Sequence, residues 1–376
     1  MLGVYVHIPF CANKCGYCDF HSIVAGSSVI EDYLVALSRE IRYWADQLGG
    51  RTCSTLYIGG GSPTLLTAEQ LSRLIRQLTA EFNFASGFEL TVEANPGTLT
   101  PAKLEAMAEA GVNRISLGAQ AFQNDLLRRI GRTHSVDDIY RGVELIRKYG
   151  ISNINLDLIE GLPDQKLTDW QAGLEAAAAL QPTHFSCYSL ILEKGTPFFE
   201  EYYRGTLILP DEDEAVGMFE FTQAYLPQLG YHHYEISNYA LPGMESRHNL
   251  IYWHNQFYLG LGSGAHGYFN RLRAHNPADV FLYTKNWLSG IPAAVSGEYV
   301  DRETEMDETM MLGLRLIEGV DEAAFFNRFN VSIKDVYANA VTDLIDRGLL
   351  ESRDGFLRLT KQGIFLGNLV FSAFLR

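Results

Sequence analysis

Short apolar runs recur along the first half of the chain, and each is followed by a longer segment whose apolar residues return every three or four positions. The runs fall at residues 2–8, 55–58, 89–93, 114–117, 153–158 and 184–190. Between them the sequence predicts helices. One covers residues 30–47; a second opens with Thr67 and Gln70 as a capping box and carries Leu71, Leu74, Ile75 and Leu78 on one stripe. A third is framed by Thr100 as N-cap, Pro101 in its first turn and Gly111 beyond its end; a fourth opens at Ser135 with Asp138 and closes at Gly150; a fifth covers 168–180. Six strand–helix units in succession predict an α/β fold. Its sheet is parallel with right-handed crossovers, either open and doubly wound or bent into a partial barrel.

Past residue 190 the alternation stops, and an aromatic, glycine-rich stretch runs to about residue 300. From Asp301 the pattern changes again: helices over 303–317 and 333–347, strands over 349–352 and 356–359 around the turn Arg353-Asp354-Gly355, and a last helix capped by Thr360. The expected organisation is a core of residues 1–190, an extension of it over 191–300, and a mainly helical, winged-helix-like domain over 301–376. Helices with a two-stranded wing suit DNA. Yet from Asp301 onward nine Lys and Arg face thirteen Asp and Glu, so a lid or docking module is the better reading. The acidic run Asp211 to Glu214 after Pro210 reads as a helix N-terminus.

Composition narrows the function classes. A formal net charge of −15 disfavours phosphate-backbone binding, so nucleic acid is not an expected partner. No basic stretch precedes Leu2, and no run of about 18 apolar residues occurs, so neither a signal peptide nor a membrane span is expected and the location expected is cytoplasmic. Cys53 and Cys187 stand alone and read as small buried hydrophobes.

The chemistry gathers where the strands end. The first run empties into Cys11, Cys15 and Cys18, three soft ligands within eight residues. An iron–sulfur cubane normally takes four cysteines, so three leave one iron open to another ligand. The alternative on spacing alone is zinc, with His7 or His21 completing a Cys3His set. The second strand runs into Gly59-Gly60-Gly61-Ser62-Pro63, the third ends at Glu93, the fourth leads through Gly118 to Gln120, and the fifth presents Asp157. Polar and glycine residues at the tails of apolar strands mark the catalytic rim of such folds. The glycines would let backbone approach a ligand closely, Glu93 could pair with an ammonium, Asp157 could hold ribose hydroxyls or a second cation, and Arg132 could take a carboxylate in its fork.

Cys11-x3-Cys15-x2-Cys18, with Tyr17 just before the last cysteine, resembles the signature of the radical S-adenosylmethionine (SAM) superfamily. The resemblance implies a partial (β/α)6 barrel in which the three thiolates hold a 4Fe-4S cluster and SAM chelates the open iron. Tyr5-Val-His-Ile-Pro-Phe-Cys11 narrows the likeness to the branch of oxygen-independent coproporphyrinogen oxidases and haem chaperones. There it implies contacts to one or two SAM molecules for Tyr5, Gly60, Gly61, Ser62, Glu93, Gln120, Arg132 and Asp157, with Tyr17 and Ile159 as further cofactor contacts. Ser62 stands where threonine is usual, keeping the hydroxyl and losing a methyl. Phe20 stands where the oxidases carry a further cysteine, and their N-terminal arm is missing ahead of Leu2. Both departures resemble the HemW-type haem chaperones, of which His248-Asn249-x-x-Tyr252-Trp253 is a marker. That marker implies a haem contact at His248 among Asn249, Tyr252 and Trp253; His232, His233, His254, His266 and His275 are the competing imidazoles. The implied function is to hold haem and pass it to a haem-acceptor protein, by peripheral docking where that acceptor is membrane-bound. The alternative is a radical SAM enzyme acting on a porphyrin, including coproporphyrinogen decarboxylation.

Overall fold

The first apolar run is strand β1 (Leu2–Ile8), an inner strand of a twelve-stranded sheet in the computed structural model, which describes residues 1–292 and 296–376. The chain continues through α1 (Ser27–Leu48), β2 (Thr52–Gly60), α2 (Ala68–Glu81), β3 (Asn83–Ala94), α3 (Pro101–Glu109), β4 (Arg114–Gln120), α4 (Asn124–Arg129), α5 (Val136–Lys148), β5 (Asn153–Glu160), α6 (Leu167–Ala179) and β6 (His184–Ser189). Strands β1 to β6 lie side by side in chain order, each parallel to the next. These are the six expected units, and the sheet bends into a barrel left open between its edge strands. The local signals hold where packing reinforces them. Thr67 and Gln70 form the reciprocal capping box at α2, and Leu71, Leu74, Ile75 and Leu78 are that helix's buried residues. Ser135 and Asp138 do the same for α5.

Residues 191–300 extend this sheet at both edges. They form α7 (Pro197–Tyr203), α8 (Glu212–Gln228), β7 (His232–Glu235), β8 (Asn238–Ala240), α9 (Arg247–Trp253), β9 (Phe257–Leu261), β10 (His266–Phe269), β11 (Leu272–His275), α10 (Val280–Leu288) and β12 (Ser296–Tyr299). β9 runs parallel to β1 on its free side, with β10, β11 and β12 antiparallel beyond it, while β8 and β7 continue from β6. These strands are only three to five residues long, too short for period-two alternation to stand out in the sequence.

The remaining elements are α11 (Arg302–Gly313), β13 (Val320–Asp321), α12 (Glu322–Phe329), α13 (Ile333–Asp346), β14 (Leu350–Arg353), β15 (Phe356–Leu359), α14 (Lys361–Phe365) and α15 (Gly367–Ser372). They surround a core of their own, including Met310, Leu314, Phe325, Leu344 and Phe374. The expected hairpin is β14–β15, and β13 adds a third strand that the sequence reading lacked. Helix α12 was also unanticipated, and the first helix ends at Gly313 rather than 317. Arg328 ties this unit to the barrel: its guanidinium donates to the Asn255 carbonyl at 3.0 Å and pairs with Glu305 at 2.6 Å. Among the described residues no helix is long and apolar enough to cross a membrane.

Side chains alternate across a strand. On β1, Val4, Val6 and Ile8 are buried toward the surrounding helices, which leaves Gly3, Tyr5 and His7 facing the barrel lumen. The parallel register aligns that inward set with Thr55, Tyr57 and Gly59 on β2, then Glu89, Thr91 and Glu93 on β3, Arg114, Ser116 and Gly118 on β4, and Asn155 and Asp157 on β5. The lumen is therefore polar, unlike the apolar packing between strands and helices.

Candidate cofactor site and adjoining cavity

The loop after β1 turns over the C-terminal rim and brings Cys11, Cys15 and Cys18 to one cavity of about 260 Å³. Gly16 has no room for a side chain, since a Cβ there would lie 2.5 Å from the Phe198 ring. Cys11 Sγ lies 3.9 Å from the Ser62 hydroxyl, and Arg132 Nη1 lies 3.9 Å from Cys15 Sγ. Among the described residues no three His, Cys, Asp or Glu side chains group closely enough to hold one metal ion. His7 is further committed, accepting from the Tyr5 hydroxyl at 2.9 Å and donating to the His21 carbonyl at 2.8 Å. A cubane spreads its thiolates over separate irons, and three sulfurs facing a shared cavity suit it.

With the cysteines the same cavity is lined by Gly60, Gly61, Ser62, Glu93 and Gln120, and by Arg132, Asp157, Ile159 and Tyr17. Glu93 and Asp157 are the chemically telling pair. Glu93 accepts from the Tyr57 hydroxyl at 2.8 Å and the Gly60 N–H at 3.0 Å; Asp157 accepts from Ser116 Oγ at 2.9 Å and Asn155 Nδ2 at 2.8 Å. Burial pushes the Glu93 carboxyl up to about 7, with the nearby Asp157 charge adding to the rise. Burial also raises Asp157, against the pull of its hydroxyl and amide donors. Among the described residues neither carboxylate has a Lys, Arg or His within ion-pair distance. The buried Arg114 guanidinium in the same lumen acts on both groups without pairing with either. Two buried carboxyls with no direct ion-pair partner, on the wall of one cavity, suit a cationic ligand.

Several donors of this rim are already engaged within the protein. The glycine run does not offer its N–H groups to a ligand: Gly60 donates to Glu93, Gly61 to the Ile8 carbonyl at 2.9 Å, and Ser62 to the Phe10 carbonyl at 2.8 Å. The glycines make room for protein groups. A Cβ on Gly61 would meet the Phe10 carbonyl oxygen at 2.6 Å and Cys11 Sγ at 3.0 Å, and Gly60, at φ +112°, would strike His7. The Arg132 fork is also partly spent, because Nη2 donates to the Gly118 carbonyl at 2.7 Å. That bond ties the loop between α4 and α5 to the bulge in β4 between Gly118 and Gln120.

Tyr5 is not on this cavity; it faces a second one, with His7, Asp19, Phe20, His21, Tyr252, Tyr258 and His266. The tetrad marked by His248 is dispersed. His248 is 1% exposed and forms the barrel floor: its ring stacks on Tyr57 at 5.1 Å, Nδ1 bonds Thr55 Oγ1 at 2.7 Å and Nε2 bonds Tyr252 Oη at 2.8 Å. Gly3 leaves the space it fills. Both ring nitrogens are thus occupied, and the expectation of His248 as a direct haem contact is not met. Burial, with Arg114 nearby, lowers its pKa to about 3, so the ring is neutral. Tyr252 alone of the tetrad reaches the second cavity. Trp253 carries the Arg315 guanidinium over its ring at 4.4 Å, toward the C-terminal unit, and Asn249 lines neither cavity. Replacing His248 by Ala opens the floor and strips Thr55 and Tyr252 of a partner. Urea unfolding should show a loss of about 2–4 kcal/mol.

Some functional neighbours were not foreseen. Tyr57 holds Glu93, and Ser116 with Asn155 holds Asp157. Counting back by twos from Glu93 and Asp157 along their strands would have found Asn155, since alternate residues share the lumen.

Three cysteines on the loop after β1 of a six-unit partial barrel define the radical SAM class. A model of the radical SAM superfamily matches residues 5–175, and one of the HemN C-terminal domain matches 300–366. The fold matches that of coproporphyrinogen III oxidase (HemN) from Escherichia coli with a TM-score of 0.86, at 24% identity over 99% of this chain and 89% of that one. Haem chaperone HemW of Bacillus subtilis is 40% identical across 100% of this chain and 99% of its own length. HemW of Escherichia coli is 34% identical across 98% and 97% respectively. The chain belongs to the HemW family of haem chaperones. Membership of the radical SAM superfamily implies a 4Fe-4S cluster and SAM.

Proposed function

We propose that the protein carries a 4Fe-4S cluster on Cys11, Cys15 and Cys18, binds one or two SAM molecules in the rim cavity, and holds haem as cargo for a haem-acceptor protein. The working compartment is the cytosol, where a membrane-bound acceptor is met by peripheral docking. The single observation carrying this reading is the pair of buried carboxyls, Glu93 and Asp157, that line one cavity with the three thiols and have no direct ion-pair partner among the described residues. A bound cluster supplies an open iron corner and, when reduced, an electron for the SAM sulfonium. The chain supplies the rest. Glu93, held by Tyr57 and the Gly60 N–H, takes the ammonium; Asp157 takes ribose hydroxyls or a second cation; Ser62 and Arg132 steady the sulfur side.

Haem as cargo is supported by the relatives' name and by the residue that follows the cluster loop. Phe20 puts a ring where the resembling oxidases have a thiol, so the loop offers no fourth sulfur for chemistry on a porphyrinogen. Anaerobic incubation of the reconstituted protein with SAM, reductant and coproporphyrinogen is expected to give no protoporphyrinogen above background, while haem binds saturably. Protoporphyrinogen formed over many turnovers would replace the chaperone reading with the oxidase one.

A further inference from the structure

The second cavity, about 320 Å³, opens beside the cluster loop between β1, α9 and the start of β10. Its walls are rings: Tyr5, Tyr252, Tyr258 and Phe20, with imidazoles from His7, His21 and His266. Flat aromatic walls suit a macrocycle, and imidazole is the usual protein ligand of haem iron. Phe20 is 56% exposed and lines both this cavity and the rim cavity, so the two adjoin at one side chain.

The histidines differ in what their nitrogens already do. Those of His7 are both hydrogen-bonded, as are those of His248 on the floor behind Tyr252. Among the described residues the ring nitrogens of His21 and His266 make no hydrogen bond, and both side chains are exposed. Iron needs an unprotonated nitrogen on a ring that does not have to be ordered first. His266 meets both conditions. Its ring stacks on His275 at 5.1 Å, and its backbone is fixed in the β10–β11 ladder opposite His275. The preceding turn is fastened from below: the buried Glu40 carboxylate accepts from the Gly262 N–H at 2.7 Å and from Asn276 Nδ2 at 2.6 Å. The His266 carbonyl sits so close to Gly260 that a Cβ there would lie 1.9 Å from it. Partial burial lowers the pKa of His266, and His275, His21 and Arg273 around it act the same way. His21, by contrast, rides on the cluster loop, with its ring against the turn at Gly264.

We propose that this second cavity is the seat of the haem cargo, with His266 as the iron ligand and Tyr252 and Tyr258 as its aromatic wall. The inference rests on haem being the cargo, as argued above. It also gives the tetrad a different role: His248 is a positioning residue that orients Tyr252 through the 2.8 Å hydrogen bond.

Ferric haem titrated into the cluster-loaded full chain, read by its Soret band and by low-temperature paramagnetic resonance, tests this. Wild type is expected to saturate with a nitrogen-ligated spectrum. His266→Ala, an exposed position that folds normally, should bind haem at least about tenfold more weakly and lose that spectrum, and free imidazole should restore it. His21→Ala should keep the wild-type spectrum. A His266→Ala protein with wild-type spectrum and affinity overturns the assignment, and so does loss of ligation in His21→Ala alone. A wild-type protein that fails to bind haem would end the proposed function itself, which separates the two failures.

Discussion

Serine at Cys11, Cys15 or Cys18 is expected to leave a chain that, after anaerobic reconstitution, holds iron and sulfide near background. The three sulfurs line one cavity, and the other two cysteines cannot substitute, since Cys53 is fully buried and Cys187 is 7% exposed, both within the apolar core. A hydroxyl is a harder and far less acidic ligand than a thiol, so the iron it faces loses its bond rather than exchanging it. The effect should exceed the ~10–100-fold typical of changes outside the ligand shell. Cys53→Ala and Cys187→Ala serve as controls that keep full iron. A serine variant retaining wild-type iron and sulfide would place the cluster elsewhere and sink the site.

How much of this could be read without coordinates depended on where the information lies along the chain. The six strand–helix units announced themselves because each strand is a continuous apolar run and each helix carries a stripe and a cap, as with Thr67 and Gln70. The rim set was legible because Glu93, Gln120 and Asp157 are polar residues at the tails of apolar strands, and of the ten positions expected to contact SAM or another cofactor at the rim, nine line the cysteines' cavity. The exception, Tyr5, lies deeper on β1, where strand end and mid-strand cannot be told apart without register. What stayed hidden was long-range. Nothing local in Gly59 to Gly61 says that their N–H groups serve Glu93 and the β1 loop, or that His248 spends its nitrogens on Thr55 and Tyr252. A motif gives residue types at fixed spacing, but α9 is a single short helix whose successive side chains point to the floor, the second cavity and the C-terminal unit in turn.

Glu93→Gln should weaken SAM binding by about 10–100-fold, the cost of removing a charged partner from an ammonium in a buried site. Isothermal calorimetry on the cluster-loaded protein measures it. The pH dependence identifies the group. With its pKa raised to about 7 by burial, Glu93 is mostly protonated at pH 6 and mostly ionised at pH 8, and only the ionised form pairs with an ammonium. Wild-type affinity should therefore rise roughly tenfold between those values, with uptake of the ligand releasing a proton. The Gln variant should flatten that rise. Stability without ligand runs the other way. A carboxyl whose folded pKa lies above its unfolded 4.5 stabilises the fold fully below that value and loses the contribution as pH climbs through about 7. Glu93→Gln removes this loss, so at pH 8 its unliganded Tm should exceed wild type even as SAM binding falls. Part of the wild-type stability slope should persist in the variant, because Glu40 and Glu160 are likewise raised to about 7 by burial. Equal affinity in both proteins across pH 6 to 8 would show that Glu93 is not the ammonium's partner and leave Asp157 to take it.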